Sequence, residues 1–393
     1  MTKAKYYLFL KAILQFQGFI GPVLFVFYTH YMNLNTDEYL LCDALLFIVM
    51  SICEIPSGVI ADYMGRKRAL IISQVMILLG MLLLLILNSF TGAIIVAFIY
   101  GIFGALESGV DESIIYELFE NHKNLKEYEY IQAKLSSVSF IISILYAISS
   151  GYLIKYMITL PVILDAVVCV ILLFYTCFLL DDNKKYQKSE RILPESKEVY
   201  NVIYAIIVVT LLSSCSRVMF SFYQPVLIGV RLPVTFLGYA SAIYSIVSAF
   251  SSFLYKYIRI KLSIFNMYIL IILLQFISSF GVALCGNFFV LLFILGQQFQ
   301  RGLMGTFLYM QVNRYIDSKQ GNRVSLMSIM YSMISIMTAL SLFFTSYITK
   351  YYNLKIAMLI YVCLLNALLI MAAIIFKQKN DRKLLIRYDE NVG

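Results

Sequence analysis

A succession of apolar segments, each at least roughly 20 residues long, constrains this chain more than any other feature, because that length matches the hydrocarbon thickness of a bilayer. The segments fall at about 5–31, 38–63, 68–88, 91–119, 128–155 and 159–180, and again at about 199–223, 233–258, 263–286, 288–315, 323–350 and 354–377. Backbone groups inside hydrocarbon must satisfy one another, so each segment predicts an α-helix. With 61% hydrophobic and 13% charged residues, the chain cannot present a soluble protein's surface. The expectation is an all-α integral membrane protein of twelve transmembrane helices in two pseudo-symmetric six-helix bundles. The charged stretch DDNKKYQKSERILPESK, 181–197, is the expected linker between bundles spanning 1–180 and 198–377, with a tail at 378–393.

Lysine and arginine placement predicts orientation. Three basic residues (Lys134, Arg217 and Arg301) lie inside spans, and four (Lys155, Arg231, Lys350 and Lys355) fall in segments on one side. The remaining 24 of the 31 fall on the other side, which is therefore read as cytoplasmic and as holding both termini, in a multi-pass plasma-membrane protein. Lys3 and Lys5 precede the first span without a small-residue cleavage site, so that span is expected to be retained. The net charge of +9 is then mainly a topology signal, and its scatter over short segments disfavours nucleic acid as a partner. Seven cysteines lie within or at the ends of spans without metal-ligand spacing, and only His30 and His122 are histidines. No nucleophile–base constellation, phosphate loop or dinucleotide fingerprint is present, so neither an enzyme, a cofactor nor a metal site is expected.

The second and third spans are joined by GVIADYMGRKR, Gly58 to Arg68. Gly58 permits close helix approach, Asp62 places a carboxylate at a helix end, Gly65 turns the chain, and Arg66, Lys67 and Arg68 hold the turn at the membrane face. This stretch resembles the signature loop of the major facilitator superfamily, written G-x-x-x-D-x-x-G-R-[RK], and occupies the same place between spans two and three. The resemblance implies alternating-access transport, with spans 1, 4, 7 and 10 lining a central cavity and the loop acting as a conformational switch. It also implies a contact from Asp62 to the opposite bundle, near the start of span 11 around Arg323. EIPSGVIAD, Glu54 to Asp62, further resembles efflux-type bacterial members. Two features of drug:proton antiporters are missing: no Arg occurs between Thr91 and Phe119, and the fifth span ends ISILYAISSGYLI without a Gly-Pro pair.

The halves also resemble each other. A shift of 193 residues lays ESGVDESIIYE (Glu107–Glu117) over QRGLMGTFLYM (Gln300–Met310). A nearly equal shift brings Met64–Lys67 onto Ile258–Lys261, with Lys256 standing where Asp62 would be. Matching offsets at two places point to a duplicated six-helix unit.

Polar side chains inside the spans mark candidate function, since each charge costs about 2.5–3.5 kcal/mol to insert. Span 4 carries Glu107, Asp111 and Glu112; span 7 carries Arg217; span 10 carries Gln297, Gln298, Gln300 and Arg301; span 1 carries Gln15 and Gln17. Glu107 and Asp111 share a helix face, as do Gln297, Gln300 and Arg301. The proton-coupling candidates are Glu107, then Asp111 and Glu54; the cavity candidates are Gln17, Arg217, Gln297, Gln300 and Arg301. Two bland alternatives stand beside these: a permanent ion pair of Glu107 with Arg217 or Arg301, and pairing of Asp111 or Glu112 with Lys134. Asp165 and Asp43 read as local hydrogen-bonding groups.

The expected function is proton-coupled export of a small amphipathic compound by a chain working as a monomer in the lipid bilayer. The alternatives are an uptake permease for an anionic nutrient, favoured if Arg217 and Arg301 grip an anion, and a non-transporting receptor or scaffold.

Overall fold

The structure is a computed structural model, and it describes residues 2–120, 125–179, 196–315 and 320–371. It is helical along almost its whole described length. The first span contains α1 (Thr2–Ile13), then turns, then a piece at 21–31. There follow α2 (Thr36–Met64), α3 (Arg66–Ile86), α4 (Phe90–Glu120), α5 (Leu125–Tyr156) and α6 (Leu160–Leu179). The second set is α7 (Ser196–Gly229), α8 (Val234–Lys261), α9 (Ile264–Leu284), α10 (Val290–Tyr315), α11 (Gln320–Tyr351) and α12 (Leu354–Met371). These match the twelve expected segments, and most of the expected linker and the whole tail lie outside the described residues.

Local chemistry sets several helix ends. Glu38 accepts from the Asn35 amide at 2.8 Å, and with Asp37 it places two acids in the first turn of α2, where the helix dipole favours them. Ser263 caps α9 by accepting from the Asn266 amide. Gly65, between α2 and α3, has φ 91°, a conformation that costs glycine nothing and strains any other residue. Pro56 sits inside α2 without ending it.

Within the first bundle α2 packs on α4, α3 on α4 and α6, and α1 on α5 and α6. Within the second, α8 and α9 pack on α10, and α7 on α10 and α11. Between bundles the principal pairings are α2 with α11 and α5 with α8. Large apolar side chains such as Leu82 and Ile86 on α3, Phe174 and Phe178 on α6, and Phe250 and Phe253 on α8 are exposed, as the lipid-facing side of a bundle requires.

The first span departs from expectation. Its apolar run, about 5–31, predicted one continuous helix, but regular helix stops at Ile13. Residues 14–20 form turns with Gln17 at φ 53°, after which a 3₁₀ turn (Gly21–Val23), a short α turn (Leu24–Val26) and a π-helical turn (Phe27–Tyr31) complete the crossing. Pro22 cannot donate an amide, and Gly18 and Gly21 lower the cost of irregular backbone. Such a break survives at membrane depth only where protein satisfies the freed groups.

Candidate functional site

The polar residues of α1, α4, α7 and α10 form two groups. One lies on α7 and α10. There the Tyr223 hydroxyl donates to Gln297 Oε1 at 2.5 Å, and Ser216 reaches Gln300 at 3.5 Å. Gln300 is fully buried and also directs its amide at Met304 Sδ. Arg301, the next residue, is exposed, with its guanidinium carbon 5.4 Å from the Phe220 ring centroid. Arg217 lies 5.5 Å from the ring centroid of Phe47 on α2, a cation–π contact between the bundles. Arg301 is 11 residues along α10, roughly 16 Å from its start at 1.5 Å per residue, and so lies well inside the helix.

The second group contains the leading coupling candidate. Glu107 Oε1 pairs with Lys11 Nζ of α1 at 2.7 Å, with exposures of 19% and 16% respectively. The expected alternative partners were Arg217 and Arg301, which belong to the other group. The sequence placed Lys11 among the flanking basic residues and so missed it. Its signal was visible, since it lies one turn before Gln15 in an apolar segment. Glu107 lies near the middle of α4, Phe90–Glu120.

Glu54, the third coupling candidate, is buried on α2. Ser57, one turn on, donates to the Glu54 carbonyl and to the Ala105 carbonyl of α4, each at 2.9 Å, tying α2 to α4 at this level. Gln17 lies in the break of the first span. Gly58 lies within α2, and the side chains of Asp62, Arg66, Asp111, Glu112, Lys134 and Arg323 lie outside what the structure describes.

Of the signature turn, two members are placed. Gly65 makes the positive-φ bend, and Lys67 donates to the Cys177 carbonyl in the last turn of α6 at 2.7 Å. A cation at a helix C-terminus satisfies a free carbonyl and the negative end of the dipole. Replacing Gly65 with leucine forces a side chain into this conformation at a cost of about 1–3 kcal/mol. Transport by Gly65→Leu is expected to fall well below that of Gly65→Asn, whose side chain tolerates positive φ, at equal membrane abundance. Equal rates for the two variants would show that the bend itself is dispensable.

Among the described residues, contacts between the bundles run from the middle of the helices to the far face, opposite the turn. Ser51 and Ser332 hydroxyls meet at 2.9 Å near the middle of α2 and α11. Further out, the Ser346 hydroxyl donates to the Asp37 carbonyl at 2.7 Å, and Asp43 bonds Ser221 of α7. Gln224 of α7 grips the 21–31 piece twice, donating to the Gly21 carbonyl at 2.8 Å and accepting from the Phe25 amide at 2.9 Å. Tyr152 and Tyr239 hydroxyls bond across α5 and α8, where the helices meet through Gly151 and Gly238. The far face is thus closed, leaving a surface vestibule of about 710 Å³ between Asn35, Asp37, Tyr347 and Lys350.

Comparison with solved structures finds the same fold elsewhere. The nucleoside transporter NupG aligns with a TM-score of 0.72 over 96% of this chain and 98% of its own, at 14% identity. A mutant of NupG gives 0.74 over 94% and 99%, also at 14%. A bacterial homologue of the iron transporter ferroportin, in an inward-facing state, gives 0.69 over 95% and 99%, at 16%. No curated protein sequence matches. The profile of the Major Facilitator Superfamily matches residues 9–321, most of the chain and all of the signature turn. Twelve helices in two bundles, a glycine bend between α2 and α3, and that match together show that this chain is a transporter of the Major Facilitator Superfamily and not an enzyme.

Proposed function

We propose that the chain is a proton-coupled secondary transporter that exports a small amphipathic compound across the plasma membrane, working as a monomer with both termini cytoplasmic. The Lys11–Glu107 pair carries this reading. It joins the inner piece of the broken span to α4 and is exposed enough to exchange protons with water. Protonation of Glu107 would remove the charge attraction between Glu107 and Lys11 across the two helices. A ligand-driven shift between conformations needs such a difference in interaction between states. The buried Glu54, and Asp111 on the next turn of α4, are the further coupling candidates.

A second reading, movement of an anionic compound, is favoured by Arg301. An exposed guanidinium this deep is expensive against lipid and stable against a water-filled cavity, where it would bind a carboxylate or phosphate. Gln17, Gln297, Gln300 and Arg217 would complete the cavity wall. Proteoliposomes with an imposed pH gradient and a panel of anionic, neutral and cationic amphipaths separate the readings. Proton-driven movement of neutral or cationic members supports the first, and movement confined to anions supports the second. Gradient-independent movement of all classes would refute proton coupling.

In the proposed switch, Asp62 accepts hydrogen bonds from the far bundle near the start of α11, so Asp62→Asn should slow turnover without loss of protein. Orientation has its own test. A cysteine introduced between Asn33 and Thr36 should react with an impermeant maleimide added outside intact cells, and one between Asp181 and Lys197 should not. The reverse pattern would overturn the orientation and the export direction with it.

A further inference from the structure

The first span on either side of its break is held by side chains from four other helices, and they divide its two pieces between the bundles. The inner piece belongs to the first bundle: Lys11 pairs with Glu107, and the Gln15 amide donates to the carbonyl and hydroxyl of Ser139 on α5 at 2.7 and 2.9 Å. The outer piece, 21–31, is clasped by Gln224 of the second bundle. Between them, the Asp165 carboxylate of α6, 1% exposed, accepts from the Phe19 amide at 3.0 Å and the Ile20 amide at 2.8 Å. Ser150 of α5 donates to the Phe19 carbonyl at 2.5 Å. A carboxylate is an expensive means of satisfying two amides inside a membrane protein, since a neutral serine or asparagine could accept as well. What the carboxylate adds is sensitivity to a proton.

We propose that Asp165 is a proton-sensitive latch on the first span: ionised, it fixes the break and keeps the outer piece docked on Gln224; protonated, it releases the Phe19 and Ile20 amides and frees that piece to move with the far-face gate. Asp165 acts here as a positioning residue and contacts no substrate, so the inference is independent of what the protein carries. Among the described residues, the titratable groups that interact with its charge are Tyr100 of α4, Tyr146 of α5 and Cys169 one turn along α6. Cys169 in turn lies within electrostatic range of Glu107, so Asp165 and Glu107 both act on the same thiol. The phenols and thiol are neutral, and the described contacts of the carboxylate are backbone amides.

The direction in pH follows from the geometry. A carboxylate accepts two amide hydrogen bonds at full charge and more weakly once protonated, so acid loosens the break and alkali tightens it. The test is hydrogen–deuterium exchange on the full-length protein in lipid nanodiscs, from mildly acidic to mildly alkaline pH and corrected for intrinsic rates. In the wild type, protection of the Phe19 and Ile20 amides should fall on acidification by at least roughly tenfold. Asp165→Asn, similar in shape and unable to titrate, should show the same protection at every pH. Ser150→Ala, which removes a neutral contact to the same turn, should lower protection but keep its pH dependence. If Asp165→Asn retains the wild-type pH profile, or if wild-type protection does not change with pH, the latch is refuted. Should Asp165→Asn fail to fold, the wild-type and Ser150→Ala profiles still decide.

Discussion

Gly238→Val should prevent the far face from closing. A β-carbon built on Gly238 of α8 would lie 2.2 Å from the Ala147 carbonyl oxygen of α5, and one on Gly151 of α5 would lie 2.5 Å from the Thr235 carbonyl oxygen of α8. Both obstacles are backbone, which cannot rotate away as a side chain can. The two bundles meet at this crossing through paired glycines, and relief requires the helices to separate. Overpacking typically costs about 1–3 kcal/mol, which lowers the closed population between roughly fivefold and a hundredfold. Ser241, one turn along α8, lines a small enclosed space with Tyr223, Gln224 and Tyr244, and reports on closure. A cysteine at Ser241 should react with impermeant maleimide from the far face faster in the Gly238→Val background. Transport should fall by a similar factor, while the cores inside each bundle keep the protein folded. Unaltered labelling and transport would mean that α5 and α8 part without consequence, and that closure is set by α2 with α11 alone.

The relation of sequence to structure differs between the helices and the site. Span positions were legible because the bilayer imposes one length and one polarity on every crossing, and α2 to α11 begin and end within a few residues of the apolar runs. Gly65 was legible too, since a turn this tight demands a positive φ and little but glycine supplies it. The break after Ile13 was not legible. Its local residues, Gln17, Gly18, Gly21 and Pro22, permit irregular backbone but do not require it. What makes it stable is Asp165, distant in sequence and itself read only as a local hydrogen-bonding group. The same distance hid the pairing of Glu107: periodicity gives the face a residue occupies, and only the packing of α1 against its neighbours brings Lys11 to it. Periodicity puts Gln297 and Gln300 on one face of α10, but their partners Tyr223 and Ser216 belong to α7 and follow from no pattern along α10.

The Lys11–Glu107 pair gives the second large effect. Glu107→Gln keeps the shape of the side chain and its capacity to accept a hydrogen bond from Lys11, but it removes the titrating group. Proton-driven accumulation is expected to fall at least roughly tenfold, the scale of a typical coupling free energy, while exchange of substrate down its own gradient persists. A wholly structural ion pair predicts something different. In that case Glu107→Gln lowers the amount of folded protein, and Lys11→Glu combined with Glu107→Lys restores what either single reversal loses. Coupling instead requires the carboxylate at its place on α4, within electrostatic range of Cys169, so the double reversal should recover expression without recovering proton-driven transport. The two outcomes separate cleanly when transport is normalised to membrane abundance and measured against pH on both sides. Full proton-driven transport by Glu107→Gln with the wild-type pH profile would remove Glu107 from the mechanism. It would pass the role to Asp111, one turn along the same helix, and then to Glu54, already buried on α2.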